Sequence, residues 1–113
     1  MNLGTRDAGA IVVLDLSGKL TLGDGDEVLR ATVGRLIADG RTQIVVNLEK
    51  VPYMDSAGMG ELIASHTKAS QAGGAVRLLN PMKRVYDVLH VVKLDSVFQI
   101  FLEESTAVAS FEL

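Results

Sequence analysis

The chain has 113 residues, a length typical of one domain, and 48% of them are hydrophobic, so we expect a single packed domain over residues 1–113. A net charge of −3, dispersed basic residues and few aromatic side chains argue against nucleic-acid partners, and the lack of cysteine excludes disulfides and thiolate metal sites. No leader peptide and no apolar run of the ~20 residues that a membrane span needs are evident, so we expect a cytoplasmic protein without direct membrane insertion.

The first half of the chain alternates between strand-like and helix-like spacing of apolar residues. Its predicted elements are an edge strand over 3–7, a strand over 11–16, a helix over 27–38 and a strand over 43–48. The first two strands are expected to pair through a turn at Ala8 and Gly9. Asp24 or Asp26 is expected to cap the helix, and Gly40 is expected to end it.

The second half of the chain continues the alternation. Its predicted elements are a helix over 56–72, a strand over 75–79, a helix from residue 81 to about 91, a strand over 97–101 and a short helix opened by residues 103–104. Gly73 and Gly74 are expected to stop the first of these helices. Pro81 suits a first helical turn, because that position needs no backbone N–H. The buried side of its helix is expected to comprise Val85, Val88, Leu89 and Val92.

This order of elements predicts the α/β fold class. Short links between strands and helices indicate a mixed, mostly parallel sheet of four or five strands, with right-handed crossovers and about four helices packed mainly on one face. No internal repeat or linker divides the chain. An edge strand, or the apolar C-terminal segment around Val108 and Phe111, could pair with a second copy, so we expect a monomer or a weak dimer.

The sequence lacks the residue patterns that catalysis and metal binding require. Ser56 is not part of a Gly-x-Ser-x-Gly elbow, because Met54 stands two residues before it. His66 would lie about 15 Å along the same helix, too far away to act as the base for Ser56. His66 and His90 do not have the i, i+4 spacing of a metal-binding pair. We therefore expect no catalytic residue, no cofactor and no metal site.

Ser56 stands at the predicted start of a helix and has two interpretations. In the first, Asp55 or Ser56 only caps the helix. In the second, Ser56 and its small neighbours form an open docking surface where added negative charge is tolerated. Capping gives no reason for Gly58 and Gly60, because glycine costs about 1 kcal/mol relative to alanine inside a helix. Met59, which is large and flexible, suits adaptable contacts with a partner.

These residues resemble the STAS domain family and, within it, the bacterial anti-sigma factor antagonists, or anti-anti-sigma factors. The resemblance covers nearly the whole chain, and an Asp-Ser-x-Gly-x-Gly core between a strand and a helix is a fairly specific signal. The motifs that carry it are Gly18-Lys19-Leu20, Val46-Asn47-Leu48, Met54-Asp55-Ser56-Ala57-Gly58-Met59-Gly60, Gly73-Gly74 and the helix start from Pro81 to Val85.

The resemblance implies a protein that binds partners and is not an enzyme. An anti-sigma factor that is itself a serine kinase would phosphorylate Ser56, and a metal-dependent serine phosphatase would reset it. The unphosphorylated form would bind the kinase and free a sigma factor, and the phosphorylated form would let the kinase go. The implied partner-binding residues are Asp55, Ala57, Gly58, Met59 and Gly60, with Thr21 and Asp24 in a nearby turn.

Two positions depart from the family pattern. Many family members carry Asp where this chain has Thr21, and Ser or Thr where it has Ala57. Thr21 leaves open which kinase is recognised, whereas Ala57 only removes a competing phosphate acceptor. The alternative functions are a constitutive STAS scaffold or subunit of a signalling or lipid-transport complex and, more remotely, a small enzyme that uses Ser56.

Overall fold

The computed structural model describes residues 1–111. Within this range the strands are β1 (Asn2–Ala8), β2 (Ile11–Ser17), β3 (Gln43–Lys50), β4 (Ala75–Leu79) and β5 (Ile100–Phe101). The helices are α1 (Asp26–Ala38), α2 (Ser56–Gln71), α3 (Lys83–Val91) and α4 (Glu104–Ala109), with one 3-10 turn at Leu94–Ser96. Each predicted strand and helix therefore has a counterpart, and β4 has the predicted bounds.

The strands form one mixed sheet in the order β1-β2-β3-β4-β5. β1 and β2 form an antiparallel hairpin in which Ala8 pairs with Ile11, so the turn lies at residues 9–10, one residue later than predicted. The other neighbouring pairs, β2 with β3, β3 with β4 and β4 with β5, are parallel. The prediction of a mostly parallel α/β sheet is confirmed.

The two faces of the sheet carry two separate apolar clusters. Alternate residues of the central strands point to opposite faces, so that Val12 and Leu14 join the main core whereas Val13 joins a smaller one. Helices α1, α2 and α3 cover the main core, and α4 covers the smaller one through Ala107. The helices thus lie mainly on one face, as the sequence predicts.

The cap of α1 differs from the prediction. Gly25 is the N-cap, and neither Asp24 nor Asp26 occupies that position. Gly25 has a φ of 128°, a conformation that side chains disfavour, and an added Cβ would lie 2.8 Å from the carbonyl oxygen of Lys19. Asp26 is the first helical residue, and its carboxylate accepts hydrogen bonds from the backbone N–H groups of Gly23 and Glu27.

Three predictions for α3 and β5 are wrong. Pro81 precedes the N-cap Met82 and is not in the first turn of α3. Val88 and Val92 are exposed, because this nine-residue helix buries only the narrow seam formed by Val85 and Leu89. β5 has two residues and not five, since the N–H groups of Val97 and Phe98 still donate to the carbonyl oxygen of Leu94, so that the turn begun at Leu94 continues into the predicted strand.

The apolar C-terminal segment is occupied within the chain. Val108 and Phe111 pack against the smaller core, and the Arg77 guanidinium lies 4.4 Å from the centre of the Phe111 ring. These side chains therefore contact the chain's own sheet. They do not form the free surface for a second copy that the sequence left open. The oligomeric state stays a prediction.

Candidate functional site

The site is built where the chain passes from β3 into α2. Met54 bridges Leu20 in a strand-like pairing, and the N–H of Asp55 donates to the carbonyl oxygen of Leu20 at 3.3 Å. These contacts anchor the start of α2 against the segment that follows β2. Asp55 is extended, with φ −99° and ψ −175°, which is the ordinary conformation of an N-cap residue.

Asp55 is the N-cap of α2, so the Ser56 hydroxyl does not cap the helix. One carboxylate oxygen of Asp55 accepts from the N–H of Gly58 at 2.9 Å. Ser56 is the first helical residue, and it is exposed. The sequence left open whether Asp55 or Ser56 caps the helix, and the geometry assigns the cap to Asp55.

The two glycines of the signature have different surroundings. Gly58 is buried, and a Cβ there would collide with the carbonyl oxygen of Leu20. A close approach of backbone to backbone therefore explains Gly58, so the expectation that it leaves the turn uncovered is wrong. Gly60 is exposed, and a Cβ there would meet nothing within 4 Å. Packing gives no reason for glycine at this second position.

The turn over residues 21–24 lies beside the cap of α2. The second carboxylate oxygen of Asp55 accepts from the N–H of Leu22 at 3.1 Å. Thr21 and Asp24 close the turn through backbone hydrogen bonds in both directions, at 3.3 and 3.0 Å. The turn that the sequence places near the site is therefore joined to it directly. The Asp24 carboxylate points elsewhere, to the α-amino group of Met1 at 2.9 Å.

Leu22, the most exposed apolar residue of this turn, is not among the site residues that the sequence predicts. Its side chain is 76% exposed, although its backbone is held. The signal was present, because Leu22 is an apolar residue between turn-forming residues, where no core position is expected.

A shallow groove of about 260 Å³ begins at Ser56. Its lining includes no charged residue and consists of Ser56, Met59, Gly60, Ile63, Val92 and Leu94. Ser56, Met59, Gly60 and Ile63 share one face of α2, as the three- and four-residue spacing of a helix requires. Ile63, Val92 and Leu94 line this groove although the sequence does not predict them as site residues. A larger groove of about 1080 Å³ runs between α3 and β5, and it shares no lining residue with the groove at Ser56.

The electrostatics of the site are dominated by one carboxylate. Hydrogen bonds from the backbone N–H groups of Gly58 and Leu22 lower the pKa of Asp55, because they favour its charged form. Asp55 is therefore ionised at neutral pH, immediately before Ser56. Residues 1–111 contain no group of three His, Asp or Glu side chains that could hold a metal ion.

The two histidines are engaged away from Ser56. The Nδ1 atom of His66 accepts from the N–H of Val76 at 3.1 Å, and its ring packs against Phe98. His90 is bonded to the carboxylate of Asp95 at 2.6 Å. Each ring therefore makes its hydrogen bond to a residue outside the site at Ser56.

Comparison with protein-family models assigns most of the chain to one family. The model of the STAS domain matches residues 3–107. The chain belongs to the STAS domain family. The STAS match includes both segments of the site, the turn before α1 and the start of α2.

Two proteins similar to this chain are described as anti-sigma factor antagonists. RsfB of Mycobacterium tuberculosis, an anti-sigma-F factor antagonist, is 28% identical over 108 residues, which cover 88% of this chain and 86% of RsfB. A structure from Thermotoga maritima, described as a candidate anti-sigma factor antagonist, superposes with a TM-score of 0.91 at 21% identity, covering 98% of this chain and 95% of that one.

The anti-sigma factor antagonist SpoIIAA is similar to this chain in two forms. The phosphorylated form of the Bacillus protein gives a TM-score of 0.76 at 25% identity, covering 96% of this chain and 98% of SpoIIAA. The unphosphorylated form gives a TM-score of 0.73 at 24% identity, and the match covers 96% of each chain.

Among residues 1–111, none of the helices combines the length and the hydropathy that spanning a membrane requires.

Proposed function

We propose that this STAS domain is an anti-sigma factor antagonist that phosphorylation of Ser56 switches off. The unphosphorylated form binds an anti-sigma factor serine kinase and thereby releases a sigma factor. Phosphorylation ends the binding, and a metal-dependent serine phosphatase restores it. The observation that supports the proposal is the state of Ser56, an exposed first residue of α2 whose hydroxyl is spared from capping by Asp55.

The effect of a phosphate on the free protein is small. Phosphoserine adds about −1.5 to −2 charges at neutral pH. The helix N-terminus stabilises the added negative charge by ~0.3–1 kcal/mol at an exposed site. The ionised Asp55, which is also negative, repels the phosphate. Since these two local effects are small and opposite in sign, the phosphorylated protein keeps its fold. The similarity of the chain to both forms of SpoIIAA supports this expectation.

The effect of the same phosphate inside an interface is large. The groove that begins at Ser56 has no charged side chain that could compensate the new charge. A charge buried without a partner costs several kcal/mol, on the order of 3–5, and ~1.4 kcal/mol is a tenfold change in affinity. The interface effect therefore exceeds the local effect, and the switch acts by direct repulsion and desolvation.

The proposal assigns binding and not catalysis to the site. A serine nucleophile needs a base within hydrogen-bond reach, and both histidines are committed elsewhere, His66 to Val76 and His90 to Asp95. Asp55 is held by two backbone N–H groups. These contacts support a role for Ser56 as the acceptor of a phosphoryl group from a partner.

The test is an affinity pull-down from extract of the source cells with Ser56→Ala and Ser56→Glu baits, read by mass spectrometry. We expect the Ser56→Ala bait to retain a serine kinase and the Ser56→Glu bait to lose it. Incubating the wild-type chain with the retained kinase and ATP should then place phosphate on Ser56, which peptide mass spectrometry checks.

Ser105→Glu is the matched control, because Ser105 is also exposed and lies in the first turn of a helix, α4. This bait should retain the kinase as the wild type does. Retention of the same partners by the Ser56→Ala and Ser56→Glu baits would contradict the switch and favour a constitutive scaffold. Ester hydrolysis that is lost in Ser56→Ala would instead favour an enzyme.

A further inference from the structure

We propose that two copies of this chain associate through the free edge of β5, in an antiparallel pairing with a two-fold axis at Ile100. In this arrangement Leu102 of each copy enters the groove that lies between α3 and β5 of the other copy, the α3–β5 groove. The association is independent of the proposed switch, because this groove shares no lining residue with the groove at Ser56.

The backbone of β5 leaves one edge of the sheet unpaired. The N–H groups of Leu78 and Asn80 donate to the carbonyl oxygens of Gln99 and Phe101, at 3.0 and 2.7 Å. Ile100 lies between these two acceptors, so its own N–H and C=O point away from β4. β5 is the last strand in the sheet order, and no strand of residues 1–111 lies beyond it. Ile100 therefore offers a donor and an acceptor to a further strand.

The sequence of this edge lacks the protection that free edges usually carry. Residues 97–102, Val-Phe-Gln-Ile-Phe-Leu, contain no charged side chain and no proline. The strand at the opposite edge, β1, carries Arg6 and Asp7, which both form ion pairs. Charged side chains on an edge disfavour the addition of another strand. Of the two edges, β5 is therefore the one that favours pairing.

The apolar contact of the proposed dimer comes from Leu102, whose side chain is 74% exposed. The α3–β5 groove has a volume of about 1080 Å³, and its lining includes Val97 and Phe98 as well as Leu102. An antiparallel pairing centred on Ile100 sets residue 102 of one copy opposite residue 98 of the other. Leu102 therefore reaches the apolar end of the second copy's groove, and the two-fold axis forms this contact twice.

The charges at the two ends of the groove are complementary under the same axis. Lys83 lines the groove near the end of β5, where Asn80, shortly before α3, bonds Phe101. Asp95 lines it near the start of β5, in the 3-10 turn. An antiparallel pairing brings the end of one β5 to the start of the other, so each Lys83 faces an Asp95. A parallel pairing would bring like charges together.

Both charged side chains can change partners at low cost. Lys83 bonds Asp87 at 2.8 Å, but its side chain is 89% exposed, and exposed ion pairs contribute little to stability. Asp95 uses one carboxylate oxygen for its bond to His90. Because a short edge supplies few hydrogen bonds and little buried area, we expect a weak dimer with a dissociation constant between about 10 µM and 1 mM.

Sedimentation equilibrium of the whole chain, between about 10 µM and 2 mM, measures the association. We expect a reversible dimer. Leu102→Asp should weaken it at least about 10-fold, because the variant places a carboxylate in the apolar end of each groove. Val91→Asp is the matched control, since Val91 is 77% exposed and lines neither groove. It should dimerise as the wild type does.

Two charge variants test the antiparallel arrangement. Lys83→Glu and Asp95→Lys should each dimerise at least about 10-fold more weakly alone, because like charges then face each other at both ends of the interface. An equal mixture of the two should restore association to within about threefold of the wild type, since opposite charges then meet at both ends. Restoration would also show that both variants are folded.

Hydrogen exchange measured by mass spectrometry locates the paired edge. Exchange in the segment 97–102 should slow as the protein concentration rises, because the N–H of Ile100 becomes bonded. A monomer at all concentrations, a dimer unaffected by Leu102→Asp or a mixture no stronger than its separate variants would each overturn the proposal. Protection that rises with concentration in β1 instead would place the pairing at the opposite edge and overturn it as well. The pull-down with the Ser56 baits is unaffected by any of these outcomes, because Ser56 does not line the α3–β5 groove.

Discussion

At Gly58 and Gly60 the same substitution has opposite expected effects. Gly58→Ala forces a methyl group against the carbonyl oxygen of Leu20, so we expect a loss of about 1–3 kcal/mol in the free energy of unfolding. Gly60→Ala adds a methyl group in open space on an exposed helix, so we expect a gain of about 0.5–1 kcal/mol. Urea unfolding at 25 °C measures both changes.

Gly34→Ala in α1 is the control for Gly60→Ala, because its Cβ would also meet nothing within 4 Å. Both should stabilise the chain through helix propensity, but only Gly60→Ala should weaken binding of the kinase, because only Gly60 lines the groove at Ser56. Equal kinase affinity of the two variants would mean that the groove is not in the interface.

The two histidines should titrate on opposite sides of pH 6.5. Burial and, after it, the charge of Arg77 lower the pKa of His66. The hydrogen bond and charge of the Asp95 carboxylate raise the pKa of His90. Proton NMR of the ring signals measures both values. Asp95→Asn should return the pKa of His90 toward 6.5 and leave that of His66 in place, and a movement of both would contradict the assignment.

The pH dependence of stability follows from these directions. The folded-state pKa of His66 is below its unfolded value, so its contribution is fully present above about pH 6.5 and is lost as the pH falls through the lowered pKa. The folded-state pKa of His90 is raised, so its contribution is fully present below about pH 6.5 and is lost as the pH rises through the raised pKa. Between pH 5 and 7, the thermal midpoint of His66→Gln should fall less on acidification than that of the wild type.

At the scale of elements, local signals predicted what depends on local chemistry. Gly40 and Gly73 follow the C-cap residues of α1 and α2 and have positive φ angles. A glycine directly after a segment with helical spacing of apolar residues predicts such a helix end. β4 has the predicted bounds because the turn-forming pairs Gly73-Gly74 and Asn80-Pro81 stand on either side of a short, mostly apolar segment. The wrong predictions lie where tertiary packing decides, as at β5, which is short because the preceding turn continues to Phe98 and both Leu94 and Phe98 are buried in the main core.

The candidate site divides in the same way. Asp55 and Ser56 are adjacent in sequence, and the start of a helix at that point was predictable from capping. Leu22 and Val92 reach the site from other segments, Leu22 through a backbone hydrogen bond to Asp55 and Val92 as the C-cap residue of α3, which lines the groove together with residues of α2. The resemblance places the turn of residues 21–24 near the site, and the sequence shows an apolar residue, Leu22, within that turn. It gives no indication that Val92, which it predicts to be buried, lines the groove at Ser56.

Arg30 and Glu61 join α1 to α2, and removing the arginine should destabilise the chain. The Nε atom of Arg30 donates to Glu61 at 3.1 Å, and the Glu61 side chain is only 8% exposed. Arg30→Met leaves this buried carboxylate without its donor, for which we expect a loss of about 1–3 kcal/mol by urea unfolding. Because Arg30 is half exposed, the lower part of this range is favoured.

The double variant Arg30→Met with Glu61→Met is the control for that loss. It removes the carboxylate together with its donor, and an apolar pair in place of an ion pair is often neutral or stabilising. The double variant should therefore be more stable than Arg30→Met alone. If the loss of stability in the double variant equals the sum of the losses in Arg30→Met and Glu61→Met, the two side chains are not coupled.

At the scale of the whole molecule, phosphorylation of Ser56 should change binding without changing the fold. The helix N-terminus stabilises the phosphate by ~0.3–1 kcal/mol and the ionised Asp55 repels it. The segment that carries Ser56 is fixed by Asp55, Leu20 and Gly58 through contacts that do not use the serine hydroxyl. For a domain of this size, about 1 kcal/mol shifts the thermal midpoint by roughly 4–8 °C, so we expect a shift at or below the lower bound.

The measurement compares the far-UV circular dichroism and thermal midpoint of phosphorylated and unphosphorylated chain, with kinase affinity determined on the same two samples. Unchanged helix content, a small shift in the midpoint and a loss of affinity of at least about 100-fold would locate the switch in the interface, because the free protein then stores almost none of the difference. A gross loss of helix would locate it in α2 instead. In that case the phosphate would act by displacing Asp55 from the N–H of Gly58, and the turn that carries Leu22 would be released together with the helix.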